Sequence, residues 1–96
     1  MDVLVTYDIA DTAGSGAARL RAVADICSKY GHRVQLSVFE CRVNEVKLVA
    51  LRSELLDAID PRRDSVMLYR FPGELSASRV QLGRKPPRNL GDPWML

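Results

Sequence analysis

The chain has a single histidine and two cysteines, and Cys27 and Cys41 stand in no CxxC or other metal-binding spacing. So few soft ligands exclude a Cys/His zinc site, and both thiols are expected to be reduced core residues. No apolar run approaches the roughly 18 residues of a membrane span. The opening MDVLVTYD lacks the basic flank and small-residue cleavage site of a secretory leader, so a cytoplasmic protein with no membrane partner is expected. Beyond the short GSG at residues 14–16 there is no glycine-rich ligand loop. A small-ligand regulator is therefore a weak reading, though fold pattern alone does not remove it.

What is present suits a small globular domain. Of 96 residues, 47% are hydrophobic and 27% charged. A domain this short buries only about 60–65% of its unfolded surface, so it gains much from pairing with another surface. The net charge of +2 is unevenly spread. Residues 1–60 carry seven Lys or Arg against nine Asp or Glu, whereas residues 61–96 carry seven against three. Six of those last seven cations are arginine, whose planar fork suits phosphate oxygens.

Along the chain, Val3, Val5, Tyr7 and Ile9 alternate with Leu4, Thr6 and Asp8, the period of a strand. ADTAGSG, residues 10–16, is turn chemistry. Leu20, Val23, Ala24, Cys27 and Tyr30 recur at helical spacing over residues 17–30, and Gly31 stops that helix. RVQLSVFECRV, residues 33–43, reads as a strand with Val34, Leu36 and Val38 on one face and Phe39, Cys41 and Val43 on the other. Both of its faces are therefore expected to be covered. Asn44 is a natural N-cap for a second helix, through about Ile59, with a Leu48, Leu51, Leu55 and Ile59 stripe; Asp60-Pro61 ends it. SVMLYRF, residues 65–71, is a third strand, and SASRVQLG, residues 76–83, a weaker edge strand. Counted as read, these elements run β-α-β-α-β-β, but the order is taken as β-α-β-β-α-β. That is an α+β, ferredoxin-like arrangement, an antiparallel sheet with both helices on one face, spanning residues 1–83 and followed by a proline-rich tail at 84–96. The other face needs a cover, and in so short a chain a second copy related by a two-fold axis is the simplest one.

Asp8 shares its strand face with Leu4 and Thr6. If the valines meet the helices, Asp8 points to the open face near its end and, in a two-fold dimer, approaches its own symmetry mate. Two close carboxylates repel unless a cation lies between them. A hard divalent ion such as Mg²⁺ accepts one or two carboxylates plus waters, and could then assist attack of water on a phosphodiester. The competing role for Asp8 is local: capping the ADTAGSG turn through backbone amides.

VLVTYDIAD, an arginine-bearing helix and then YGHRVQLSVFEC together make a specific combination. Over roughly residues 1–71 it resembles the CRISPR-associated protein 2 family, the small adaptation proteins of CRISPR systems. The resemblance implies a ferredoxin-like homodimer whose C-terminal strand crosses to the partner subunit. It implies a role in spacer acquisition, in complex with the CRISPR integrase, holding duplex DNA. It also implies Mg²⁺-dependent endonuclease activity on RNA or double-stranded DNA, with Mn²⁺ as a substitute ion. The family's metal-ligating aspartate falls on Asp8, preceded by Tyr7.

Arg19 and Arg21 stand in the family's basic run at the start of the first helix, where Ala17 and Ala18 replace residues often basic in relatives. Arg33 lies in the matching G-x-R-V-Q segment. Ser37 and Phe39 fall in S-V-F-E, which the resemblance places near the Asp8 pair and the dimer interface; their plain alternatives are a satisfied polar strand residue and a core aromatic. The swapped tail would bury Trp94, Met95 and Leu96 against the partner sheet, or else dock on the integrase by β-augmentation. Arg84, Lys85 and Arg88 are its candidate phosphate contacts. Three functions are thus in play: a DNA-holding scaffold, a nuclease with paired Asp8 carboxylates and a small-ligand regulator.

Overall fold

A computed structural model describes residues 1–84. Its elements are β1 (Asp2–Asp8), α1 (Ala17–Tyr30), β2 (Gly31–Gln35), β3 (Val38–Arg42), α2 (Glu45–Ala58), β4 (Ser65–Phe71) and a short α3 (Leu75–Ser78). The four strands form one antiparallel sheet in the order β2-β3-β1-β4. This is the expected ferredoxin-like βαββαβ topology, with α1 and α2 covering one face. None of the described helices is long and apolar enough to cross a membrane.

Strand alternation decides which side is filled. Val3, Val5 and Tyr7 of β1 and Phe39 and Cys41 of β3 point to the helices, where Val23 and Cys27 of α1 and Leu48, Leu51 and Leu55 of α2 complete the core. Burial pushes both the Cys27 and Cys41 thiols up to about 12, which leaves them protonated and inert, as expected. The Asn44 side chain accepts the Lys47 N–H at 2.8 Å and so caps α2. Tyr30 and Lys29 at the end of α1 both donate to Glu54 of α2, tying the two helices together.

Two expectations need correction. Residues 33–43 are not one strand but a hairpin, β2 and β3, joined by a turn at Leu36-Ser37 and irregular between Arg33 and Gln35. Val34 is buried and Leu36 exposed, so a face count over one continuous strand was misplaced. Residues 76–83 form no strand. Leu75–Ser78 makes a helical turn whose Leu75 N–H donates to Asp2 Oδ2 at 2.8 Å, and the chain then runs on without sheet partners among the described residues.

The open face nevertheless wants a cover, for a different reason. In register across β1 and β4, Leu4 stands opposite Tyr69 and Thr6 opposite Met67, with Phe71 beyond. Met67, Tyr69 and Phe71 are all exposed. Three large apolar side chains in a row on one strand face are what an interface supplies and a solvated surface avoids.

Candidate functional site

Asp8 ends β1, opposite Ser65 of β4, and is exposed on the helix-free side. Capping of the following turn falls to other acids. Asp11, in the left-handed region at φ 53°, accepts the Ser15 N–H and hydroxyl on Oδ2, both at 2.9 Å. Aspartate tolerates that backbone because its short side chain bonds locally. Gly16 closes the turn, since a Cβ there would lie 1.8 Å from the Ala10 carbonyl oxygen.

A second acid, Asp64, anchors the loop from beneath. Its side chain is wholly buried, and it accepts Arg19 Nε at 2.7 Å, the Ala10 N–H at 2.9 Å and the Asp60 N–H at 2.8 Å. The Arg19 guanidinium, with those N–H donors, holds its carboxyl well below the usual carboxylate range against the opposing effect of burial. Arg19 also donates to the carbonyls of Ala10 and Ser15, both at 3.1 Å. The Arg19–Asp64 pair, through its bonds to Ala10, Ser15 and Asp60, therefore joins the connection after β1 and the start of α1 to the connection before β4, next to Asp8. Among the described residues no hydrogen bond or ion pair engages the Asp8 carboxylate itself.

Tyr7 points the other way. Its hydroxyl donates to the Leu36 carbonyl at 3.3 Å, and its ring stacks on Phe39 with centroids 6.3 Å apart. Burial raises the Tyr7 phenol, only partly opposed by the Arg33 guanidinium, so it stays protonated and serves to position the hairpin turn. Phe39, expected near the dimer interface, is 1% exposed and lies in the core on the helix side. The core alternative is the one realised, because the hairpin turn sets its parity. Ser37 does reach the Asp8 end, where its carbonyl accepts the Tyr7 N–H at 3.1 Å.

Arg33 lies with its guanidinium 5.2 Å from the Phe39 ring centroid, and its Nε is buried without a hydrogen-bond partner. Asp8, Arg33, Thr12 and Ser37 line one cavity of about 400 Å³ at this end of the sheet. A carboxylate open to solvent and a guanidinium-bearing residue thus line the same space. Arg21 is exposed on α1 and Arg84 follows α3, also exposed. Lys85, Arg88 and Trp94 lie outside the described residues.

Sequence reasoning missed Asp64, Arg62 and Arg63. The PRRD run at 61–64 reads as a helix stop, and nothing local shows that its acid would turn inward. Arg62 and Arg63 are exposed beside the site, with Arg63 donating to the Ser15 hydroxyl at 3.3 Å.

One chain offers a hard cation few ligands: no group of three or more His, Cys, Asp or Glu converges among the described residues. The donor chemistry of Asp8 still fits Mg²⁺ or Mn²⁺, which take one or two carboxylates and keep their waters. A second Asp8 brought across a two-fold axis would complete that pair.

The family model for CRISPR associated protein Cas2 matches residues 1–77. The chain is 43% identical over 96 residues to the CRISPR-associated endonuclease Cas2 of Halalkalibacterium halodurans, covering all of both chains. It is 48% identical over 97 residues to the CRISPR-associated endoribonuclease Cas2 of Chlorobaculum tepidum, again covering all of both. The crystal structure of Streptococcus pyogenes Cas2 superposes with a TM-score of 0.79 at 41% identity, covering 86% of this chain and all of that one. With its order of elements, its YD pair at the end of β1 and these matches over most of its length, the chain belongs to the Cas2 family of CRISPR-associated proteins.

Proposed function

We propose that the protein is a metal-dependent endonuclease that works as a homodimer in CRISPR adaptation, holding nucleic acid for the integrase. The observation that carries the nuclease reading is the division of labour among three acids. Asp11 and Asp64 are engaged in holding the loops, while Asp8 has no hydrogen-bond or ion-pair partner among the described residues. A carboxylate held in place by its neighbours yet left unpaired is suited to a cation.

The dimer forms across the open face, burying Met67, Tyr69 and Phe71 and bringing the two Asp8 carboxylates to the axis. There they would hold Mg²⁺, with Mn²⁺ as a substitute. Bound there, the ion would supply Lewis acidity toward a phosphodiester oxygen and a more acidic water. Arg33 faces the same cavity and places the phosphate, while Tyr7 fixes the turn that carries Ser37. Arg21, Arg62, Arg63 and Arg84 contact the backbone of duplex DNA or RNA without reading sequence, so affinity falls as salt rises. Arg19 adds little to that contact, because its donors are committed to Asp64 and two carbonyls. Residues 84–96, with Lys85, Arg88 and Trp94, cross to the partner subunit as a strand along its β4 edge.

A non-catalytic bridge within the integrase complex is the second reading, favoured by the single acid that the described residues of each chain give to the site. Asp8→Asn separates the two. The expected result is loss of Mg²⁺-dependent cleavage by at least about 100-fold with unchanged duplex binding. Equal cleavage by the purified variant and the wild type would leave the bridge as the function.

A further inference from the structure

We propose that the cavity beside Asp8 is a nucleobase subsite, taking one unpaired base of the strand whose phosphodiester lies at that acid. This rests on the nuclease reading above and narrows its substrate: the strand at Asp8 has at least one base outside any duplex stack.

The cavity measures about 400 Å³, within the range of about 300–1,000 Å³ usual for small-molecule sites. It lies where β1 ends, between two segments that the fold ties down. One wall is the hairpin turn, where the Tyr7 hydroxyl donates to the Leu36 carbonyl at 3.3 Å and the Tyr7 N–H to the Ser37 carbonyl at 3.1 Å. The other is the connection after β1, where the Ala10 N–H donates to Asp64 Oδ1 at 2.9 Å and the Ala10 carbonyl accepts from Arg19 at 3.1 Å. With both walls held, the space between them is pre-formed.

Its lining is apolar with a few polar groups. Tyr7 and Ile9 are nearly buried, Leu20 of α1 is partly buried, and Leu36 is 68% exposed. Thr12, which is exposed, and Ser37, which is half-buried, bring hydroxyls. Arg33 also lines the space, and its Nε is buried without a hydrogen-bond partner among the described residues. A buried donor of that kind calls for an acceptor.

A phosphate is a poor occupant, because a charge desolvated against Tyr7, Ile9, Leu20 and Leu36 is costly. The neutral groups next to a phosphodiester held at Asp8 are its sugar and its base. Of these, only the base combines a flat apolar body with an edge of donors and acceptors. Hydroxyls both donate and accept, so Thr12 and Ser37 suit the edge of any base. Arg33 has five donors and can serve a phosphate and a base edge together. A base that is paired within a duplex is stacked and cannot enter unless it is extruded. Duplex lying on Arg21, Arg62 and Arg63 is therefore held rather than cut, and cleavage falls where the strand is frayed or single.

The test uses the full-length chain and short strands in which one 2-aminopurine, a fluorescent base, stands among abasic nucleotides. Deoxyribose and ribose forms are compared with wholly abasic strands in EDTA, where binding is read without cleavage. Wild type should bind the base-bearing strand about 10-fold more tightly than the abasic one in at least one sugar form, and should shield its emission from acrylamide. Thr12→Val and Leu36→Ala change exposed side chains, and circular dichroism should show both variants folded, singly and together. The double variant should lose the preference for a base and leave the emission open to quenching. Equal affinity of wild type for base-bearing and abasic strands in both sugars, or a preference that persists in the folded double variant, overturns the subsite. With Mg²⁺ added, wild type should cut an ordinary single strand and spare the phosphate beside an abasic position. Cleavage that ignores abasic positions overturns the subsite and leaves the nuclease standing. No cleavage of any strand, with the base preference intact in EDTA, supports the subsite and overturns the nuclease reading.

Discussion

Asp64 shows how one buried side chain can set the position of an exposed one. It binds the backbone at Ala10 and Asp60 and the guanidinium of Arg19, and so fixes the chain on both sides of the Asp8–Ser65 pair. Its carboxyl is held below its ordinary value of 3.8, with the Arg19 hydrogen bond as the largest cause. The unfolded chain therefore takes up a proton there at a higher pH than the folded one. Stability from this group is complete above the unfolded value and is lost as pH falls from about 4 toward the depressed folded value. Thermal melts between about pH 6 and pH 2 should show a falling midpoint that is shallower in Asp64→Asn, which is itself less stable at neutral pH; parallel curves would contradict the role given to Asp64. Asp8 was legible in the sequence because strict alternation gives its face. Asp64 was not, since its burial depends on Arg19, 45 positions away.

At the level of elements, the long signals were readable and the short ones were not. The apolar periodicity of α1 and α2 and the Asn44 cap gave both helices close to their true limits. The β2-β3 hairpin was hidden because its turn, Leu36-Ser37, carries none of the Asn-Gly or Asp-Gly chemistry that marks two-residue loops. Gly31 was read as a helix stop alone, yet a Cβ there would sit 2.0 Å from the Glu40 carbonyl oxygen, so the close approach of β2 to β3 also requires it. Residues 76–83 alternate like a strand but find no edge within their own domain, and a local turn forms instead. The packing that joins the elements centres on Leu51, fully buried under α2. Leu51→Ala should cost about 2–5 kcal/mol in urea unfolding at pH 7; a change below about 1 kcal/mol would mean that the helix face had been misassigned.

The whole molecule presents one sheet face covered by helices and one left open among the described residues. The exposed Met67, Tyr69 and Phe71 row would supply apolar area to the proposed isologous interface, in which each residue of a two-fold pair would be buried twice. Asp8 lies on that same face at its end. The family was legible from the motif at residues 3–11 together with that at 30–41. The dimer was inferred on partly mistaken grounds, since the face count on residues 33–43 did not survive the hairpin and the β4 row replaced it. Placing Asp8 in a shared site makes a quantitative claim that neither a monomeric nuclease nor a passive bridge makes: activity belongs to pairs of chains.

The most direct measurement is Mg²⁺-dependent cleavage across a series in which wild type and Asp8→Asn are co-refolded at fixed total concentration. If both carboxylates serve one cation, activity falls as the square of the wild-type fraction, to about a quarter in an equal mixture. A linear fall, to about half at the same point, would show that each Asp8 acts alone and would contradict the shared site.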